Sequence, residues 1–306
     1  MAGRYAPSPT SDLHLGNLRT ALLAWVFARR SGLRLLVRIE DLDQQRVGAA
    51  RGVAQRQLDD LAAIGLDWSP PVVRQSDRLG LYASVIAGLD TYECFCTRRE
   101  VAEAAQAPQA SRPDAVTLPE GAYPGTCAHL SGAERARRRR ERPGALRVRA
   151  DAATVTVHDR FAGEVTGIVD DFVVARGDGT PAYNLATVVD DGVQGVTQVV
   201  RGDDLLGSSP RQAWLATQLG HPVPDYVHVG LAVNARGVRL AKRDGAVSLA
   251  DLAALGHDAG EVRGWLLASL GLDPWLGNDE LLRLPDEAFA RANEQWVVDA
   301  DEWVTP

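Results

Sequence analysis

Cysteine is scarce in this sequence, with only Cys94, Cys96 and Cys127 among 306 residues. Three thiols exclude a disulfide framework and fit a reducing compartment. No apolar run approaches the roughly 18 residues that a membrane-crossing helix needs, and Met1-Ala2-Gly3-Arg4 leads straight into a motif without the apolar core of a signal region. A cytoplasmic protein with no membrane partner is therefore expected. The usual phosphate loop, Gly-x-x-x-x-Gly-Lys-Ser/Thr, is missing, and so are internal repeats and low-complexity tracts. An excess of positive charge is missing as well: the formal net charge is −7, which argues against a nucleic-acid coat and leaves room for a local basic face.

What is present is an ordinary globular composition, 45% hydrophobic and 24% charged, long enough for one large or two modest domains. The chain is organised around Arg4-Tyr5-Ala6-Pro7-Ser8-Pro9-Thr10-Ser11-Asp12-Leu13-His14-Leu15-Gly16-Asn17. Tyr5 and Ala6 end a strand, the prolines stop it, and the following turn opens a helix from Leu18 to Arg30. A helix N-terminus presents unpaired N–H groups and positive potential, so this loop is a candidate phosphate site, with Gly16 allowing close approach and His14 offering a donor. Leu33 to Ile39 reads as a parallel strand that delivers Glu40, Asp41 and Asp43 at its C-terminal end, where ligands of open α/β sheets bind. Helices are expected over Gly52–Ile64 and Ser76–Leu89, with Gly65 to Pro71 as a loop.

Cys94 and Cys96, with Cys127 further on, supply three thiolates. Tyr123 or His129 is a candidate fourth group for a zinc ion, and imidazole is chemically the better ligand; the alternative is three ordinary cysteines. Glu134 to Arg142 carries the densest positive run, capped by Ser131, and reads either as a solvated helix face or as a patch for RNA phosphates. Three segments, Leu146–Arg149, Thr154–Asp159 and Val165–Val169, alternate like half-buried strands. Val188 to Asp191 and Val196 to Leu205 are apolar runs ending in charge, which suggests carboxylates and Arg201 gathered at strand ends around a polar substrate. A helix from Ser208 to Leu219, a strand at Tyr226–Val229 and a turn at Asn234–Gly237 precede Val238-Arg239-Leu240-Ala241-Lys242-Arg243-Asp244. Two short helices from Asp251 to Leu272 and a helical, acidic tail complete the chain.

The first motif, with Arg38-Ile39-Glu40-Asp41-Leu42-Asp43 after it, resembles the first signature of the class I aminoacyl-tRNA synthetases in the form used by their glutamyl and glutaminyl branch; Asp12 stands where glycine is common. The stretch around Lys242 resembles their second signature, Lys-Met-Ser-Lys-Ser, with Arg239 for the first lysine and Ala241 for the serine. The resemblance implies an α/β fold: a Rossmann-like catalytic domain in two halves (1–92 and 177–235), an inserted α+β subdomain (93–176) and a helical C-terminal region (236–306), without an anticodon-binding domain. It implies ATP with Mg²⁺ and L-glutamate as substrates. His14 and Lys242 would be catalytic, and His14, Gly16, Asn17 and Lys242 would contact ATP. Arg4, Tyr5, Ala6, Pro7, Ser8, Glu40, Tyr183 and Arg201 would surround glutamate. A structural zinc would sit on Cys94, Cys96, Tyr123 and Cys127, since relatives use Cys-x-Cys then Tyr-x-x-x-Cys. The shortened members of the branch transfer glutamate to the queuosine base in the anticodon stem-loop of tRNA(Asp), and a monomer of that kind is expected. The rival expectations are a minimal enzyme charging a tRNA 3′ end and a non-catalytic nucleotide- or glutamate-binding relative.

Overall fold

The computed structural model describes residues 1–48, 50–106, 122–238, 240 and 247–298. Strand and helix alternate from the start: β1 (Ala2–Tyr5), α1 (Leu15–Arg30), β2 (Arg34–Ile39), α2 (Gln44–Gly48), α3 (Val53–Ala63), β3 (Ser69–Arg74), α4 (Leu79–Ala87) and β4 (Thr91–Cys94). Next come α5 (Arg98–Gln106), α6 (Gly132–Glu141), β5 (Ala145–Val148), β6 (Ala153–Asp159), β7 (Gly163–Val169) and β8 (Val173–Ala175). The chain continues with α7 (Tyr183–Gln194), β9 (Val196–Gly202), α8 (Ser209–Gln218), β10 (Asp225–Val229) and β11 (Ala232–Val233). It closes with α9 (Leu249–Ala254), α10 (Ala259–Ala268), α11 (Asn278–Arg283) and β12 (Trp296–Val297).

Seven strands form the main sheet in the order β3-β2-β1-β9-β10-β6-β7. All neighbours are parallel except β6 and β7. The connections run outward in opposite directions from β1 and β9, so the switch point of a doubly wound sheet lies between them. A second sheet, β4-β5-β8, is antiparallel and lies beside the cysteines. Helix α1 is buried along most of its length, between the main sheet and the C-terminal helices, and its apolar residues Leu18, Leu22, Leu23, Val26 and Phe27 share one core with Leu252, Leu266, Leu281 and Phe289. Burial on more than one face explains why these residues do not keep to a single stripe. Arg19 is buried within this core and donates to the carbonyls of Gly230, Arg291 and Ala292 and to Ser269 Oγ, which ties α1 to the C-terminal region.

The structure departs from the sequence reading in four places. Ser69-Pro70-Pro71, expected in a loop, opens β3; this strand is the sheet edge, where a missing N–H costs no ladder bond. Val188 to Asp191 belong to α7, so Asp190 and Asp191 reach the interior from a helix and not from a strand end. Strands β6 and β7 fall inside the expected 93–176 insertion, yet they extend the main sheet through β10. The tail is only partly helical, because Trp296–Val297 pairs in parallel with Ala232–Val233. Helix α6 has the expected Ser131–Glu134 capping box and no buried residue; of its arginines, Arg139 pairs with Glu93 at 2.6 Å. Among the described residues no helix is long and apolar enough to cross a membrane.

Candidate active site

Beyond the C-terminal ends of β1 and β9 the sheet opens into a cleft of about 500 Å³. Arg4, Tyr5, Ala6, Pro7 and Ser8, then His14, Gly16 and Asn17, and finally Glu40, Tyr183 and Arg201 all line it. Lys242, Arg239 and Ala241 lie outside the described residues. The chain resumes on either side of that stretch against the same cleft: Leu240 donates its N–H to Ala232, and Val247 accepts that of Leu15, with Ser248 bridged to His14. The described residues flanking the second signature thus lie beside the first.

The first turn of α1 is not the open row of N–H groups expected from the sequence. His14 is the N-cap residue: its Nδ1 accepts from the N–H of Gly16 at 3.1 Å and of Asn17 at 3.3 Å, while Asn17 Oδ1 accepts from the His14 N–H. The physical reason is the capping box, which satisfies these donors within the chain. Because Nδ1 accepts, a neutral His14 ring carries its proton on Nε2, and that is the nitrogen able to donate. Gly16 is needed for a contact that the sequence did not suggest: a Cβ there would lie 2.8 Å from Ala232 Cβ and 3.1 Å from the His14 ring. Helix α3 holds the loop from the other side. Gln57 donates to the carbonyls of Ser8 and Ser11, and Arg56 pairs with Asp12 at 2.7 Å. Neither α3 residue carried any signal in the sequence, since each is simply a polar residue in a helix.

The opposite end of the cleft is built on buried charge. Arg38, fully buried, reaches Asp191 at 2.7 Å, Glu40 at 3.3 Å and Asp190 at 3.5 Å. Asp191 also faces Arg4 at 3.4 Å, and Asp190 accepts from Tyr82 Oη and Gln75 and forms an ion pair with Arg78 at 2.6 Å. Arg4, Arg38 and Arg78 therefore balance Glu40, Asp190 and Asp191, as buried ions must. Burial raises the Glu40 pKa above its ordinary 4.5, with Arg38 and Arg4 pulling the other way. Thr187, one turn along α7 from Tyr183, donates to the same carboxylate at 3.3 Å.

Arg201 differs from these. It is 4% exposed, and burial lowers its pKa. Its hydrogen bonds go to His228 Nε2, Gln212 Oε1, Ser209 Oγ and the Leu205 carbonyl. Among the described residues no carboxylate comes within salt-bridge range of it. A buried cation with neutral neighbours at the wall of a cleft is an attractive place for an anionic ligand.

Some distance along the chain, the sulfurs of Cys94, Cys96 and Cys127 lie within 4.8 Å of one another. Cys96 and Cys127 are 3.6 Å apart, and Tyr123 Oη lies 3.4 Å from Cys94 Sγ. Zinc–sulfur bonds of about 2.3 Å in a tetrahedron put sulfurs roughly 3.8 Å apart, so this donor set fits one zinc ion. His129 is exposed and not part of the cluster, whereas the Tyr123 hydroxyl lies against it.

Residues 1–275 match the family model described as tRNA synthetases class I (E and Q), catalytic domain. The chain belongs to that family, and its class is that of a ligase. A glutamyl-Q tRNA(Asp) synthetase of Nocardia farcinica is 58% identical over 299 residues, covering 94% of this chain and 92% of the relative. One of Cutibacterium acnes is 55% identical over 273 residues, covering 89% and 76%. In fold, the chain is similar to the crystal structure of a glutamate-tRNA synthetase from Elizabethkingia anophelis, with a TM-score of 0.77 at 24% identity, covering 98% of this chain and 68% of that one.

Proposed function

We propose that this protein activates glutamate with ATP in the absence of tRNA and transfers it to the queuosine base of tRNA(Asp). The observation that carries this reading is Arg201, a buried cation with no carboxylate in salt-bridge range among the described residues, facing the same cleft as the buried carboxylate of Glu40. Arg201 asks for an anion and Glu40 for a cation, which suits the carboxylates and ammonium of an amino acid. The identity to the relatives named above supports glutamate and tRNA(Asp).

In the first step the glutamate α-carboxylate attacks the α-phosphorus of ATP, the bond to pyrophosphate breaks, and glutamyl-adenylate forms. The carboxylate is already ionised, so no side chain serves as nucleophile; catalysis rests on position and on neutralising charge at phosphorus. Arg201 and Arg4 hold the substrate carboxylates, Glu40 its ammonium, and Tyr183, Ser8 and the backbone of Tyr5, Ala6 and Pro7 complete the wall. His14 Nε2–H and Lys242 serve the phosphates, and Gly16 and Asn17 the rest of the nucleotide. Bound Mg²⁺ supplies further charge neutralisation on the departing pyrophosphate. In the second step the activated carbonyl passes to the modified base and AMP leaves. Cys94, Cys96, Tyr123 and Cys127 would hold a zinc whose contribution is to cross-link its module. A cytoplasmic monomer acting on the anticodon stem-loop completes the proposal.

The test is ATP–pyrophosphate exchange with glutamate, glutamine or aspartate and no tRNA, followed by transfer of labelled glutamate to tRNA(Asp) with and without queuosine. Exchange with glutamate alone and transfer only to the modified tRNA is the expected result. Exchange that needs tRNA would favour charging of a 3′ end, and no exchange under either condition would mean a silent relative.

A further inference from the structure

Arg201 reaches the cleft held from behind. Its Nε donates to His228 Nε2 at 2.9 Å, and His228 Nδ1 lies 2.7 Å from Asp159 Oδ2. The parallel register sets this up, since Arg201 on β9 lies opposite His228 on β10, and Asp159 ends β6 opposite Tyr226. An arginine Nε only donates, so His228 Nε2 must be unprotonated and the ring proton must sit on Nδ1, directed at Asp159. Asp159 is fully buried, and it also accepts the backbone N–H groups of His228, Phe161 and Ala162 at 2.8 to 2.9 Å. Burial alone would raise its pKa, but these hydrogen bonds outweigh it and keep the carboxylate ionised and below its ordinary range. Neither His228 nor Asp159 lines the cleft.

We propose that His228 and Asp159 are positioning residues for the amino-acid pocket: Asp159 fixes the imidazole tautomer, and that tautomer presents the lone pair which holds Arg201 in its ligand-binding orientation. The proposal rests on the reading of Arg201 as a glutamate contact. Ser209 Oγ, 3.4 Å from His228 Nε2 and 2.8 Å from Arg201, and Gln212, 2.6 Å from Arg201, complete the cradle. Without the acceptor at Nε2 the guanidinium loses its Nε bond and one of the constraints on its plane. A packing histidine would need neither a defined tautomer nor an arginine at its far nitrogen.

Two substitutions in the full chain separate these possibilities. His228→Gln places an amide oxygen near the position of Nε2 and keeps the bond to Arg201; His228→Asn reaches only toward Asp159. In the exchange assay, His228→Asn should raise the KM for glutamate about tenfold, as expected for one buried hydrogen bond to a charged group. The KM for ATP should not move, and His228→Gln should stay close to the parent. Equal glutamate KM values for the two variants and the parent, or a parallel rise for glutamate and ATP, would overturn the proposal. Should His228→Asn not fold, nitrogen NMR of the histidine-labelled parent decides. An unprotonated Nε2 at His228 that responds to glutamate supports the assignment, whereas a protonated Nε2, or a signal indifferent to glutamate, overturns it. If the parent itself shows no exchange with glutamate, the functional reading fails, and the NMR result still decides the tautomer.

Discussion

The amino-acid end of the cleft and the cysteine module are both small polar constructions in apolar surroundings, yet they are assembled over very different lengths of chain. Arg4 meets Asp191 across 187 residues, Arg38 meets Asp191 across 153, and Thr187 meets Glu40 across 147. Cys94 meets Tyr123 across 29 residues and Cys96 meets Cys127 across 31. The pocket therefore depends on correct formation of the main sheet, whereas the module needs one short sheet and a few turns. Damage to the first should be global or should strike substrate binding directly; damage to the second should stay local.

The strongest way to break that contrast is Asp191→Ala. It would leave Arg4 and Arg38 buried with too little negative charge, and the expected cost is about 3 to 5 kcal/mol of global stability, read from denaturant unfolding; a loss below 1 kcal/mol would mean that the network adjusts freely. Arg201→Ala should lower kcat/KM for glutamate by roughly 10²- to 10³-fold while ATP binding is spared. An equal loss for both substrates would make the residue structural. Lys242, the sole lysine of the sequence, tests the nucleotide side: Lys242→Ala should cut kcat in the exchange assay by about 10²-fold, and an unchanged rate would remove it from catalysis.

Cys96→Ser should lose zinc, measured by elemental analysis, and lower the thermal midpoint by about 5 °C, with the glutamate KM within about threefold of the parent. A zinc-free parent protein would remove the module's metal altogether. The smallest effect concerns pH. Since burial places the Glu40 pKa above 4.5, acidification protonates it before an exposed glutamate would titrate, and the charge that faces the substrate ammonium is lost. The KM for glutamate should therefore rise as pH falls through a window beginning above 4.5. Stability should rise over the same window as pH falls, because the folded state binds the proton more tightly than the unfolded chain. A flat KM profile down to pH 4.5 would show that Glu40 does not act through its charge.

The first signature was legible because its residues are consecutive and chemically unusual: two prolines, a histidine and a glycine between a strand and a helix. It brought eight residues of the candidate site, from Arg4 to Asn17, to one loop and one helical turn. The cysteines were legible for the same reason, but the choice between Tyr123 and His129 was not, since spacing alone permits either and only folding leaves His129 on the surface. Asp190 and Asp191 follow a short apolar run that reads as a strand end in the sequence but belongs to α7. Periodicity over four residues does not separate a strand from a buried helix. Gln57, Thr187, Asp159 and His228 carried no signal that set them apart from any polar residue in a helix or strand.

The sequence by itself determined the local chemistry: a strand that proline ends before a capped helix, a carboxylate-rich strand terminus at Glu40, a Cys-x-Cys pair, and a lone lysine in a basic stretch. Those features depend on neighbours a few residues away, which the order of amino acids specifies directly. Tertiary structure alone decided which charges meet. It placed Arg38 among three carboxylates, left Arg201 without one among the described residues, and set His228 between Arg201 and Asp159. Strand order and register settle those pairings, and they come from packing the whole core at once, so no short stretch of the chain contains them.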